Sequence, residues 1–328
     1  MAQSPSPSTN ISYEDLGPPG VRGELHVLAL MKDETRKNAD RLNDSTTRQF
    51  KLAARLAKFP VVTEGIKGDF NENDGGSYLL RTKDSAFSRI RCTGGTFEVR
   101  TNQAGEHSLL EFECEATSTT DARNKFLAAV LPFLDCITYH ADSPLFITSV
   151  RIEDIKNQRI TIDYIAPYRH STVNPHTGSP FLELLPVYAM YREAKNSSSD
   201  FYKFLCYHKL LEGLFGARRT ELFRTAKNNG LTITRVPELI PDAPAIDTAY
   251  RQYIGKPIKG FFDTVLTPRF RNAVAHFITD DGAVLNMSAP EHIDSYSGVL
   301  YITELCVRTV IDNYQRMLTE FYDQQNKA

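Results

Sequence analysis

The 328-residue chain has no apolar run approaching the ~20 residues that a membrane-spanning helix needs. Its nearest stretch, residues 25–31, is short and is followed at once by Lys32, Asp33 and Glu34. Residues 1–20 are rich in Ser, Pro and Gly and lack the basic-then-apolar pattern of a secretory signal, which predicts a loose tail. Cysteine is sparse. Cys92, Cys114, Cys136, Cys206 and Cys306 stand far apart, with no CxxC pair and no Cys/His grouping at metal-ligand spacing. They are expected to be buried free thiols in a reducing cytoplasm, and neither a metal nor a cofactor is expected. A net charge of -2 gives no global nucleic-acid signature, so any contact with RNA or DNA requires basic residues to be concentrated locally. There is no internal repeat.

With 41% hydrophobic and 24% charged residues, the chain has the composition of an ordinary soluble protein, and its length predicts two domains and a tail. Residues 34–58 carry patchy helical spacing (Leu42, Phe50, Leu52, Leu56), broken around 44–47, and read as a helix or a mobile segment. Short strands are expected at 61–68, 78–81, 90–92 and 96–100, with a polar turn at 71–76 and a hairpin turn at Gly94-Gly95. Residues 109–116 alternate apolar and acidic side chains, with Glu111, Glu113 and Glu115 on the wet face. Thr119, Thr120 and Asp121 then cap a helix whose apolar positions Phe126, Leu127, Val130, Leu131, Leu134 and Ile137 recur at three-to-four spacing. Strands at 145–153 and 159–164 follow, joined by Lys156-Asn157-Gln158. The fold class is therefore α+β: a tail over 1–24, then a mixed sheet-plus-helix domain over 25–170 whose role the sequence leaves unassigned. A polar, Pro/Gly-punctuated stretch predicts a linker at 171–180. Tyr164, Tyr168, His170 and His176 near it are explained by packing at the junction.

Beyond the linker the texture becomes helical, and residues 181–328 read as an all-α bundle. Helices are expected at 182–194, at 201–215 behind Asp200 as cap, and at 218–228 up to Asn229-Gly230. A proline-rich loop covers 231–244. Helical pieces at 245–253, 257–266 and 268–278 come next, then a turn at Asp280-Asp281-Gly282, an extended 283–287 and a long helix over 294–322. His208 lies on the apolar face of its helix and reads as a core histidine; Glu212, one turn on, reads as a surface carboxylate.

Chemistry concentrates in Arg271-Asn272-Ala273-Val274-Ala275-His276. Arg271 offers a cation for an anion, Asn272 an orienting amide, and His276 a base that titrates near neutrality. Thr267-Pro268 before it resembles an N-cap followed by proline at the first helical position. That would put the hexapeptide at the amide-rich, positive end of a helix, which favours a phosphate. Asn272 and His276 share a face, and Arg271 lies about 140° around the axis from His276. From 201 to 271, twelve basic residues face six acidic ones, a local balance that suits a phosphate backbone or, equally, ordinary solvated helix faces.

An Arg, a polar residue, three further residues and a His on a late bundle helix resemble the motif of the HEPN superfamily of small helical domains. Residues 201–214 are similar to an early helix of that fold and 294–322 to its closing helix. The layout of an α+β half followed by a helical half also resembles methylamine-utilization protein J. The HEPN resemblance implies a metal-independent endoribonuclease acting as a homodimer, with two motifs facing across a two-fold axis. His276 would then be the acid/base on the RNA 2′-hydroxyl or the leaving oxygen, Arg271 would hold the scissile phosphate, and Asn272 would orient either group. Where HEPN toxins are silenced by a nucleotidyltransferase partner, a tyrosine stands two residues beyond the histidine; Ile278 occupies that position here, so that regulation is not expected. The alternative is a non-catalytic dimerisation, nucleotide- or partner-binding protein, auxiliary to amine utilization or defence, in which the motif is a structural brace.

Overall fold

A computed structural model describes residues 17–18, 22–29, 37–57, 87–92, 95–101, 107–141, 145–165 and 181–327. The strands expected at 61–68 and 78–81, the turn at 71–76 and the linker at 171–180 lie outside the described residues. The architecture is α+β, an antiparallel sheet region followed by a helical region. The chain divides into two compact units, one comprising Arg22–Ala166 with Ser288–Pro290, the other Met1–Val21, Pro167–Met287 and Glu291–Ala328.

The first unit is a seven-stranded sheet with strands β1 (Arg22–Leu28), β2 (Arg48–Ala57), β3 (Phe87–Cys92), β4 (Gly95–Thr101), β5 (His107–Ala116), β6 (Phe146–Asp154) and β7 (Arg159–Ile165). Their order is β1-β7-β6-β2-β5-β4-β3, and every neighbouring pair is antiparallel. The expectation of a helix or mobile segment through residue 58 is corrected. Among the described residues of that stretch only α1 (Asn38–Leu42) is helical, and 48–57 is a central strand of the sheet. The reason is the period: Phe50, Leu52, Ala54 and Leu56 are buried at every second position while Lys51 and Arg55 face outward. The small Ala53-Ala54 pair blurs that alternation in the sequence. On β5 the acidic positions form the wet face, where Glu111 pairs with Arg100 and Glu113 with Lys51 at 3.2 Å.

Helix α2 (Thr119–Ala141) packs on the apolar face through Ala122, Phe126, Ala129, Val130 and Leu134. Its first turn is closed by Ser118, whose hydroxyl accepts from Asp121 N–H at 3.0 Å, while the Asp121 carboxylate accepts from Thr117 N–H at 2.9 Å. A buried ion pair ties β2 to the end of β6. Arg48 Nε donates to Asp154 Oδ2 at 2.8 Å, with both side chains nearly inaccessible. Asn157 donates to the same carboxylate through its backbone and its amide, and Arg48 Nη1 donates to the carbonyls of Asp44, Thr46 and Thr117. No cysteine pair is bonded among the described residues. Cys206 and Cys306 are buried as expected, but Cys136 is exposed and Cys114 half-buried.

The second unit is helical: α3 (Leu185–Asn196), α4 (Asp200–Gly213), α5 (Arg219–Asn228), α6 (Ile258–Phe261), α7 (Asn272–His276) and α8 (Pro290–Gln325). Ser199, one residue before the expected cap, accepts from Tyr202 N–H at 3.3 Å and starts α4. A π-helical turn over Leu214–Arg218, kinked at Gly216, joins α4 to α5. Gly230 (φ 69) then closes α5, with Leu231 N–H donating to Ala226 O at 2.8 Å. The helix expected at 245–253 reduces to one 3-10 turn at Arg251–Tyr253, because the Asp247 carboxylate takes Ala249 N–H at 2.8 Å in place of a helical carbonyl. Helix α8 lays Val299, Ile302, Cys306, Val310, Tyr314, Met317 and Phe321 along the core. No helix of the described residues is long and apolar enough to cross a membrane.

Removing one partner of a buried, hydrogen-bonded ion pair leaves the other charge uncompensated. Asp154→Ala is expected to destabilise the protein by about 3–5 kcal/mol, read as a shift of the urea midpoint, whereas Glu113→Ala on the exposed face is expected to change stability by less than about 0.5 kcal/mol.

Candidate functional site

The hexapeptide closes a continuous helix that runs over 258–276: α6, a π-helical stretch Phe262–Arg271, and α7. The expectation that Thr267 caps and Pro268 opens a new helix is therefore corrected. The run begins after Pro257, whose backbone is extended, and Arg271 and Asn272 keep ordinary right-handed angles through the join. Pro268 sits inside the run. An interior proline removes one N–H and crowds the carbonyl a turn back, and the wider π register around it relieves that crowding. Thr267 is not free to cap, because its hydroxyl pairs with His208 Nε2 at 2.9 Å. The electrostatic consequence is a reversal. Arg271 to His276 lie at the carbonyl end of the helix, which favours cations, so an anion bound there must be held by side chains and not by free amides.

Two helices fix this end of the run. From α8, Tyr296 donates its hydroxyl to Phe270 O at 2.7 Å in a buried bond, and the Val274 backbone N–H lies close enough to oppose the upward pull of burial on the phenol. The hydroxyl thus bridges positions four apart in the helix ladder. The ring itself packs against Phe201 (4.4 Å between centroids), Phe204 and Phe270. From α4, His208 is 0% exposed, stacks on Phe262 at 4.6 Å and has no hydrogen-bond partner for Nδ1. Glu212, one turn further, is exposed and pairs with Lys209 at 2.8 Å, yet the charge of Arg271 also lowers its pKa. Tyr296 carries no signal in the sequence as a positioning residue, since it is one apolar-face aromatic among many on α8.

Arg271 and Asn272 are brought together: both are half-buried, and Arg271 Nη1 donates to Asn272 Oδ1 at 3.1 Å. Arg271 makes no ion pair among the described residues. His276 is exposed, one turn beyond Asn272 on the same side, without a hydrogen bond to either residue. The helix then ends abruptly, because Phe277 takes a left-handed conformation (φ 62) that a bulky residue rarely adopts. The turn at Asp280-Asp281-Gly282 forms as expected, with Thr279 N–H donating to Ala283 O at 2.8 Å and Ile278 bridging Val284. Phe277, Ile278, Val284 and Met287 are all exposed; the first two follow His276 in the chain, and Val284 bridges Ile278.

Of the twelve basic residues between 201 and 271, five are held in ion pairs: Lys209, Arg219, Arg224, Arg251 and Lys259. The local excess is thus partly neutralised, with Arg271 among the cations outside those pairs. Among the described residues no group of three or more His, Cys, Asp or Glu side chains could hold a metal ion.

Residues 187–312 match a family model described as methylamine utilization protein MauJ, so the helical unit and its hexapeptide are similar to that family. No curated protein and no solved structure matches the chain.

Burial holds His208 down at about 4, against an ordinary 6.5; Glu212 opposes this, and Arg271 and Lys209 add to it. Between those values the unfolded chain binds a proton that the folded chain does not. Stability is therefore expected to be unaffected by this group above pH 6.5 and to fall as the pH drops from 6.5 toward 4, by up to about 3 kcal/mol. Urea unfolding at a series of pH values, compared with His208→Leu, checks this: the wild-type-minus-variant difference should shrink as the pH falls through that window.

Proposed function

We propose that the helical unit is half of a metal-independent endoribonuclease, completed by a second copy of the chain. The observation that carries this reading is the pairing of a half-buried Arg271, steadied by Asn272 and free of any carboxylate ion pair among the described residues, with an exposed His276 on the same helix end. A guanidinium has five N–H donors and matches phosphate oxygens in pairs, so Arg271 keeps donors for a scissile phosphate after bonding Asn272. His276 takes the proton of the RNA 2′-hydroxyl as that oxygen attacks phosphorus. The 5′-oxygen leaves with a proton from the protonated imidazole of the partner copy, giving a 2′,3′-cyclic phosphate and a 5′-hydroxyl. The HEPN resemblance supplies the two-fold arrangement, and the exposed Phe277, Ile278, Val284 and Met287 that follow His276 in the chain support a homodimer through this end of the unit. Because the helix end is electronegative, affinity for RNA rests on side-chain cations and is expected to be strongly salt-dependent.

The second reading, a non-catalytic protein auxiliary to amine utilization, is favoured by the family match over 187–312. In it the motif is a brace.

The two are separated by one variant. His276 is exposed, so His276→Ala should leave the melting temperature and dimer unchanged while lowering RNA cleavage in EDTA by about 10²–10⁴-fold. Intact RNA with wild-type protein, or a variant that cleaves as well as wild type, removes the nuclease reading; a variant that melts early or falls apart favours the brace.

A further inference from the structure

A second cluster of cations in the helical unit lies toward the opposite end of the 258–276 run from the hexapeptide. The start of α5, the 231–240 loop and α6 converge on a cavity of about 520 Å³ lined by Phe215, Arg219, Phe223, Arg235, Glu238 and Lys259, among others. This volume suits a ligand of nucleotide size. Three cations face one carboxylate there. Arg219 occupies Glu238, donating from Nη1 at 3.0 Å and from Nη2 as well, and Asn313 holds the same carboxylate at 2.8 Å. Lys259 pairs with Asp263. Arg235 is left over: it is exposed and has no ion pair among the described residues, and its guanidinium lies 4.6 Å over the Phe223 ring.

The cations are not a loose solvated fringe. Each is laid on an aromatic face, Arg219 at 5.2 Å and Lys259 at 5.8 Å from the Phe215 ring centre, and Arg235 on Phe223. Each contact holds a cation against a ring, and Arg235, exposed and without an ion pair among the described residues, keeps its donors for a ligand. A flat, cationic plate backed by a phenyl ring is a stacking platform for a base, and guanidinium and ammonium groups around it are phosphate donors. Arg219 also keeps one buried donor, Nε, without a partner.

We propose that this cavity is a nucleotide-phosphate site, with the base stacked on the outer face of Arg235 and the phosphate held by Arg235 and Lys259. The site is separate from Arg271 and His276 and stands whether or not that motif cleaves RNA. The shared chemistry is a purine joined to a phosphate monoester, found in a free nucleoside monophosphate and at a 5′-phosphorylated RNA end.

Isothermal titration of the full chain with AMP, adenosine and ribose 5-phosphate tests it. AMP should bind saturably at one site per chain, at least tenfold tighter than either fragment. Arg235→Ala, a surface change whose melting temperature is checked alongside, should weaken AMP at least tenfold. Arg235→Lys, which keeps the charge but not the plane, should fail to restore it, and His276→Ala should bind as wild type. A 5′-phosphorylated pentaadenylate distinguishes the sources: binding like that of AMP supports capture of a strand end, and exclusion supports a free nucleotide. Absence of saturable AMP binding at millimolar concentration, or an unchanged affinity in Arg235→Ala, overturns the proposal. So does His276→Ala abolishing the binding, which would move the site to the hexapeptide.

Discussion

The helix over 258–276 passes through Pro268 without breaking, and the geometry of the hexapeptide depends on that continuity. Had the chain stopped at Thr267 and started again at Pro268, Arg271 would stand beside free amides at a positive helix end. Because the Thr267 hydroxyl is paired with His208 and the π stretch Phe262–Arg271 accommodates the proline, the same residues arrive at a negative end. Under the proposed function, phosphate recognition there would pass entirely to side chains, which raises the importance of Arg271 having donors to offer. Tyr296 completes the arrangement from α8 by placing its hydroxyl on Phe270 O at the junction of the π and α registers.

Much of the architecture could be read from the residues. The α+β class, the alternation on β5, the capped helix at α2 and the long last helix all follow from simple periods and caps, and each appears in the structure within a few residues. Three departures have identifiable physical causes. In β2 the alanines at 53 and 54 dilute a period-two signal, so a central strand looked like a broken helix. At Thr267-Pro268 a helix-start signature is genuine in composition but overridden by a tertiary partner, His208, 59 residues away in sequence and invisible to any local pattern. Asp247 did the reverse, dissolving an expected helix by bonding its own neighbourhood. The three candidate residues stand out in the sequence by type and spacing. That Arg271 and Asn272 contact each other while His276 stands apart on the surface could not, because side-chain direction at a helix end is set by packing.

The family similarity and the chemistry bear on the same segment. The match spans 187–312, which contains α4, the 258–276 run and most of α8, the elements that enclose the hexapeptide. It leaves all seven strands of the sheet outside. The polar hub of Arg48, Asp154 and Asn157 in that unit clasps β2 to the end of β6, and the charged ladder on its open face pairs Glu111 with Arg100 and Glu113 with Lys51. The two proposed sites both lie in the helical unit, a half-buried arginine with its exposed histidine at one end of the run and an aromatic-backed cationic cavity toward the other.

The central claim is that a 2′-hydroxyl is the nucleophile at Arg271 and His276, and the substrate can test it more directly than the protein. A short RNA and the same strand carrying a single 2′-deoxy nucleotide at the cleaved position should be incubated with the wild-type chain in EDTA. The proposed chemistry requires the RNA to be cut, leaving a 2′,3′-cyclic phosphate, and the substituted strand to stay whole at that position. Cleavage of both strands at the same rate, or of neither, would contradict it.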